Sequence, residues 1–198
     1  MTPASSSTIA SVETSVYHVP LAVEMTDARH GIMRDFAVVT VRIRTREGAE
    51  GLGYTYTVGQ TGGRAVHSLV RDSLAPLITG ADPRRTECLW DQMWWHLHYI
   101  GRGGIASFAI SAVDIALWDL KAKLAGEPLW RLLGGHDPKV RVYAGGIDLE
   151  LPLDDLLKKT EANLARGFRA IKMKVGRARL REDVQRVAVA GQQVDAAV

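Results

Sequence analysis

The chain is nearly free of cysteine. Cys88 stands alone among 198 residues, so no intramolecular disulfide can form and a stapled, secreted scaffold is excluded. Long apolar runs are also missing; none approaches the roughly 20 residues that cross a bilayer. The opening MTPASSSTIA has neither the basic region nor the apolar stretch of a signal peptide. Charge of one sign is scarce too. The 25 Lys and Arg are set against 22 Asp and Glu, giving a net charge of +3 with the signs mixed along the chain. There is no clustered basic face with aromatic platforms, so nucleic acid is not an expected partner. What is present, 46% hydrophobic and 24% charged residues, is globular. A cytoplasmic protein with no membrane partner is the expectation, with room for one domain or for one small domain plus part of another.

Two patterns follow each other. From residue 8 to about 56 hydrophobicity alternates with period two, as in SVETSVYHV and FAVVTVRIRT, and the turn REGAEG leads into GLGYTYT, which predicts an antiparallel hairpin over 36–56. Residues 21–35 between the first two strands read as an irregular loop, too long for a tight turn. Beyond residue 62 the period is helical. Val66, Leu69, Val70, Leu74 and Leu77 suit one helix face. Asp82 with Pro83 predicts the start of a second helix. Ile110, Val113, Leu117, Leu120 and Leu124 form the apolar stripe of a third, which Gly126 and Pro128 end. After LLGGHDP the order becomes strand, helix, strand, helix: KVRVYAGGI, PLDDLLKKTEANLARG, FRAIKMKV and RLREDVQRVAVA. That order is the mark of a parallel sheet or a (β/α) barrel, but two strands cannot close one.

The strand AIKMKVGR carries Lys172 and Lys174 two residues apart, hence on one face and roughly 6.6 Å apart. If that face is buried, two neighbouring ammonium groups sit where charge is costly, and an amine that gives up its proton there can act as a general base. If it is exposed, they are solvated lysines on an edge strand. The other candidates read as structure. GRGG and GQTGG lack the strand and helix that flank a phosphate cradle and read as loop punctuation. His96 and His98, two apart on a helix, point away from each other and make a poor metal pair. Trp90, Trp94 and Trp95 read as core or interface, and Asp114 and Asp119 as hydrogen-bonded structural carboxylates. Tyr54 and Tyr56 share a strand face, either at the core edge or at a pocket rim.

The stretch AISAVDIALWDLKAKLAGEPLWRLLGG, residues 109–135, strongly resembles a signature of the mandelate racemase and muconate lactonizing group of the enolase superfamily. GFRAIKMKVGR resembles that group's Lys-x-Lys strand, and GLGYTYT its capping-domain hairpin. The resemblance implies an α+β capping domain over 9–137, after a disordered terminus 1–8, and then the first βαβα portion of a (β/α)7β barrel over 138–198. It further implies removal of the proton α to the carboxylate of an acid sugar, through an enediolate held by Mg²⁺, with dehydration or racemisation and epimerisation as the outcome. Lys174 would be the base, while Lys172 would hold the substrate carboxylate and ease deprotonation of its neighbour. Tyr54, Tyr56, Met25 and His30 would bind substrate from the capping segments. The family's carboxylate metal ligands sit on later barrel strands, so no metal ligand is assigned to this chain, and Asp195 in QVDAAV is read as coincidental. The chain alone is therefore expected to be inactive, and the whole protein to be a homo-oligomer acting on a small carboxylate. The alternative is a non-catalytic capping or oligomerisation module.

Overall fold

The computed structural model describes residues 7–196. Residues 1–6 of the expected disordered terminus, and the last two residues of the chain, lie outside them. Two compact units are formed: one from the residues up to Pro20 together with Asp35–Pro138, the other from Leu21–Arg34 together with Lys139 onward.

In the first unit the alternating segments form a three-stranded sheet in the order β1 (Ile9–Asp27), β2 (Gly31–Thr45), β3 (Glu50–Val58). β2 and β3 pair antiparallel from Ala37↔Thr57 to Arg44↔Glu50. Period two decides the faces: Ala37, Val39, Val41 and Ile43 are all buried, while Leu52, Tyr54 and Tyr56 look outward. The inward face of β3 is nearly bare. A Cβ on Gly51 would strike the Ala116 carbonyl, and one on Gly53 the Ala112 carbonyl, so these glycines let the helix backbone lie directly on the strand.

That helix is α4 (Ile105–Ala125), which buries Ala109, Ile110, Val113, Ala116, Leu117 and Leu120 and ends at Gly126, in the left-handed conformation at φ 68°. Leu124, expected in the stripe, is exposed one turn beyond the sheet. The helix over 63–78 is interrupted: α1 (Gly63–Leu69) and α2 (Ala75–Ile78) flank a π-helical segment, Val70–Leu74. It still buries Val66, Val70, Leu74 and Ile78 against α4. α3 spans Thr86–His96, so the helix starts later than Asp82 and Pro83 suggested. Asp82 instead caps a turn, accepting the Arg84 N–H at 3.0 Å. A short α5 (Leu129–Leu132) follows α4.

The second unit holds β4 (Ala144–Gly145), α6 (Leu153–Ala165), β5 (Ile171–Lys172) and α7 (Leu180–Asp195), together with the far ends of β1 and β2. Residues 21–35 are thus not an irregular loop. They carry β1 on to Asp27, turn at Ala28–His30 and start β2 at Gly31, whose φ is 67°. Both expected barrel strands shrink to two paired residues each, since each strand has only the other as neighbour and a ladder needs partners. Asp195, the last residue of α7, joins no group of metal donors among the described residues. The protein has an antiparallel capping domain with its helices and the start of a barrel.

Candidate active site

β4 and β5 run parallel, with Ala144 opposite Ile171 and Gly145 opposite Lys172. At the carboxyl ends of such strands α/β proteins gather their functional groups. Leaving β4, the chain turns sharply: Gly146 donates its N–H to the Lys172 carbonyl at 2.8 Å, and a Cβ there would collide with the Asp148 carboxylate. Asp148 is only 6% exposed. Its Oδ1 accepts the Lys174 N–H at 3.1 Å, and its Oδ2 lies 3.4 Å from Lys159 Nζ on α6. One buried carboxylate therefore fixes the backbone at Lys174, with a lysine beside it to offset the charge.

The tip of the β1–β2 hairpin is fastened to the same turn. Thr26 donates its N–H to the Ile147 carbonyl and accepts the Leu149 N–H on its own carbonyl, both at 3.0 Å, while its hydroxyl accepts the Glu150 N–H at 2.8 Å. Asp27 closes the tip by accepting the N–H groups of Arg29 at 2.9 Å and His30 at 2.6 Å and by pairing with His30 Nδ1 at 2.9 Å. The His30 N–H, followed by its ring, holds the Asp27 carboxyl well below the usual carboxylate range. Two arginines secure the turn from the other side. Arg177 donates to the carbonyls of Leu149 at 2.9 Å and Leu151 at 3.1 Å; Arg186 donates to those of Leu151 and, at 2.9 Å, Asp148. Asp183 accepts the N–H groups of Gly176 and Arg177, which fixes the backbone of the first arginine. Burial, then the nearby Arg177, pushes the Arg186 guanidinium below its ordinary value. Beside this frame opens a cleft of about 510 Å³, lined among others by Val23, Glu24, Thr26, Asp148, Leu151 and Lys159.

The candidate residues are distributed as follows. Lys172, Lys174, Met25 and His30 belong to the second unit; Tyr54 and Tyr56 belong to the first. Lys174 and Met25 are half-buried, and Lys172 and His30 are exposed. Lys172 Nζ stands 5.8 Å from the centroid of the Tyr143 ring. Of the buried and exposed alternatives, this unit by itself buries neither amine fully, because two short strands with their helices make a wall rather than an enclosure. Tyr54 and Tyr56, 58% and 52% exposed, stand on the outer sheet face, where Phe36 packs 5.3 Å from Tyr56. Thr26, Asp148, Arg177 and Arg186 escaped the sequence reading. Their bonds span up to 124 residues, and the only local hint is an acidic residue just after the paired glycines of YAGGID.

Elsewhere, His98 turns its Nδ1 to the Trp95 carbonyl at 2.6 Å, and neither it nor His96 joins a metal set. Trp94 packs at the core margin, whereas Trp90 and Trp95 are exposed, so of the two alternatives, core or interface, these two do not take the core role. Asp119 is hydrogen-bonded as expected; Asp114 has no hydrogen-bond partner among the described residues. Among the described residues no three His, Cys, Asp or Glu side chains come together as metal donors, and no helix is long and apolar enough to cross a membrane.

Residues 8–134 match the family model for the mandelate racemase / muconate lactonizing enzyme, N-terminal domain. The chain is 58% identical over 176 residues to a 3,6-anhydro-α-L-galactonate cycloisomerase of Streptomyces coelicolor, covering 89% of this chain and 48% of that protein. It is 37% identical over 183 residues to an L-talarate/galactarate dehydratase of Salmonella typhimurium, covering 89% and 45%. Among solved structures, a racemase from Streptomyces coelicolor with bound magnesium superposes with a TM-score of 0.90 at 56% identity, covering 94% of this chain and 52% of that one. The Salmonella dehydratase liganded with Mg and L-lyxarohydroxamate gives 0.87 at 33% identity, covering 97% and 50%. The chain spans about half the length of the relatives it matches.

Proposed function

Because the chain belongs to the mandelate racemase / muconate lactonizing enzyme family, we propose that it supplies the base-bearing part of an enzyme that removes the proton α to the carboxylate of a sugar acid. Lys174 takes that proton, and the Lys172 ammonium faces the substrate carboxylate. The observation that carries this reading is the anchoring of Lys174: its N–H is held by buried Asp148 at the carboxyl end of two parallel strands, beside a hairpin tip held by the same turn. A base must be held within hydrogen-bond reach of its proton, and a fixed backbone limits where an amine can swing. Met25 and His30 would meet substrate from that tip, and Tyr54 and Tyr56 from the capping sheet.

One step serves both kinds of relative. Once the α-carbon has lost its proton, the electron pair forms a double bond to the β-carbon and expels the β-oxygen, which takes up a proton as its bond to carbon breaks. If that oxygen is a hydroxyl, water leaves, which is dehydration. If it is the ether oxygen of an anhydro ring, the ring opens and nothing leaves, which is isomerisation. The 58% identity to the cycloisomerase favours a cyclic or open sugar acid with oxygen at the β-carbon. Magnesium belongs to the proposed whole enzyme on the strength of its relatives. The described residues do not fit as its donor set. In the whole protein, Lys174→Ala should abolish exchange of the substrate α-proton with deuterated water. Exchange at the wild-type rate would remove Lys174 from this role.

A second reading, a non-catalytic capping module, is supported by the family match, which falls on the N-terminal domain over residues 8–134. Saturable, specific Mg²⁺ binding by this chain alone, followed by calorimetry, would count against it.

A further inference from the structure

We propose that the recess between α3 and α4 is a binding site for a guanidinium group, separate from the lysine-bearing strand. Glu87 and Trp90 from α3 and Asp114 and Trp118 from α4 line one pocket of about 180 Å³. Neither carboxylate has a hydrogen-bond or ion-pair partner among the described residues. Lys121, the nearest cation along the same helix, stands over one lining ring, its Nζ 4.5 Å from the Trp118 centroid, and donates to the Thr86 hydroxyl at 3.2 Å rather than to either carboxylate. Asp114 is half-buried on α4, and burial pushes its carboxyl up.

The chemistry of the lining narrows the ligand. Indole faces attract cations, and carboxylates attract them more strongly; a recess with two of each is complementary to an organic cation and to little else. The same surface already holds one. Arg102 lies 4.4 Å from the Trp95 centroid and 4.9 Å from that of Trp94, and Trp94 stacks on Trp90 at 5.0 Å with 16° between planes. Trp90 thus both lines the recess that carries the two carboxylates and stacks on Trp94, whose ring holds the Arg102 guanidinium. A planar fork that stacks on indole and gives parallel N–H bonds to a carboxylate suits this lining better than a compact, strongly hydrated ammonium. The guanidinium could arrive as a free small molecule or as an arginine side chain of a second copy of the chain.

The test uses the chain labelled with ¹⁵N at its indole nitrogens, titrated with methylguanidinium chloride against sodium chloride. Saturable shifts of the Trp90 and Trp118 signals, with Trp130 unmoved, are expected, and Glu87→Gln with Asp114→Asn should weaken the affinity by about tenfold or more. Lys121→Met leaves the four lining residues in place and should keep the binding. Shifts that do not saturate, that spread evenly over all five indoles, or that survive the double substitution would overturn the proposal, as would loss of binding in Lys121→Met. Sedimentation velocity separates the two sources. Self-association dispersed by methylguanidinium and by the double substitution identifies an arginine of another copy; a monomer that still shows the saturable shifts identifies a free ligand.

Discussion

Asp119 of α4 accepts the Leu52 N–H of β3 at 2.8 Å, a bond from a helix side chain to the open edge of a sheet. β3 has β2 on one side only, so its outer N–H and C=O groups need partners. One turn further along α4, Lys123 Nζ donates to the Glu50 carbonyl at 3.0 Å and pairs with Asp119 at 2.7 Å. Asp119 and Lys123, two of the three charged residues of ALWDLKAK, thus seal the edge strand while Gly51 and Gly53 bring the helix backbone close enough for them to reach.

Asp119→Ala should therefore destabilise the capping domain by about 0.5–1.5 kcal/mol, the net contribution of one solvent-accessible hydrogen bond. Asp119→Asn keeps an acceptor and should lose less. Urea unfolding followed by tryptophan fluorescence distinguishes them; equal stability of wild type and Asp119→Ala would show that the edge bond contributes nothing.

Gly53→Ala should cost more than a typical surface substitution, about 1–3 kcal/mol or more, because its methyl would overlap the Ala112 carbonyl on a backbone that cannot step aside. Gly103→Ala, where a Cβ meets nothing within 4 Å, is the matched control. Similar unfolding midpoints for the two would contradict the close approach of α4 to β3.

The half-buried Asp114 makes a pH-dependent prediction. Its folded carboxyl is pushed above the ordinary 3.8, so the folded state binds the proton more tightly than the unfolded one. By linkage the group costs nothing well below the ordinary value and costs increasingly as pH rises through and above it. Glu87 on α3 faces the same recess, and Lys121 lies on its own helix. Asp114→Asn should then raise the urea midpoint at pH 7 and lose that advantage toward pH 4. An advantage that grows on acidification would refute the assignment.

Asp148→Ala should release the Lys174 amide. Hydrogen exchange there is expected to accelerate by about tenfold or more, with Asp148→Asn intermediate, since a hydrogen bond to a charged acceptor contributes about 1.5–3 kcal/mol. The amide of Val66, bonded to the Gly62 carbonyl at 3.0 Å within the first unit, serves as reference. Unchanged protection at Lys174 would mean that the carboxylate does not hold it.

Much of this was readable from one dimension. Period-two alternation placed Ala37, Val39, Val41 and Ile43 inward, and the stripe on 110–120 named the helix face that packs on them, because burial of a face follows directly from backbone periodicity. The long signature 109–135 pointed to the family, and LysxLys to the candidate base. Other features needed the folded chain. Residues 21–35 looked like a loop because their polar side chains show no alternation, yet they extend a hairpin whose tip is held by Thr26 bonding to residues more than a hundred positions away. Asp148, Arg177 and Arg186 act on backbone carbonyls and N–H groups, which every residue carries, so no local pattern could mark their partners. The sequence by itself determined which residues avoid water and which family's chemistry they resemble. Tertiary structure alone decided where the unpaired polar groups of turns and edges would find partners, because hydrogen bonds are short and directional and depend on a geometry that sequence spacing does not contain.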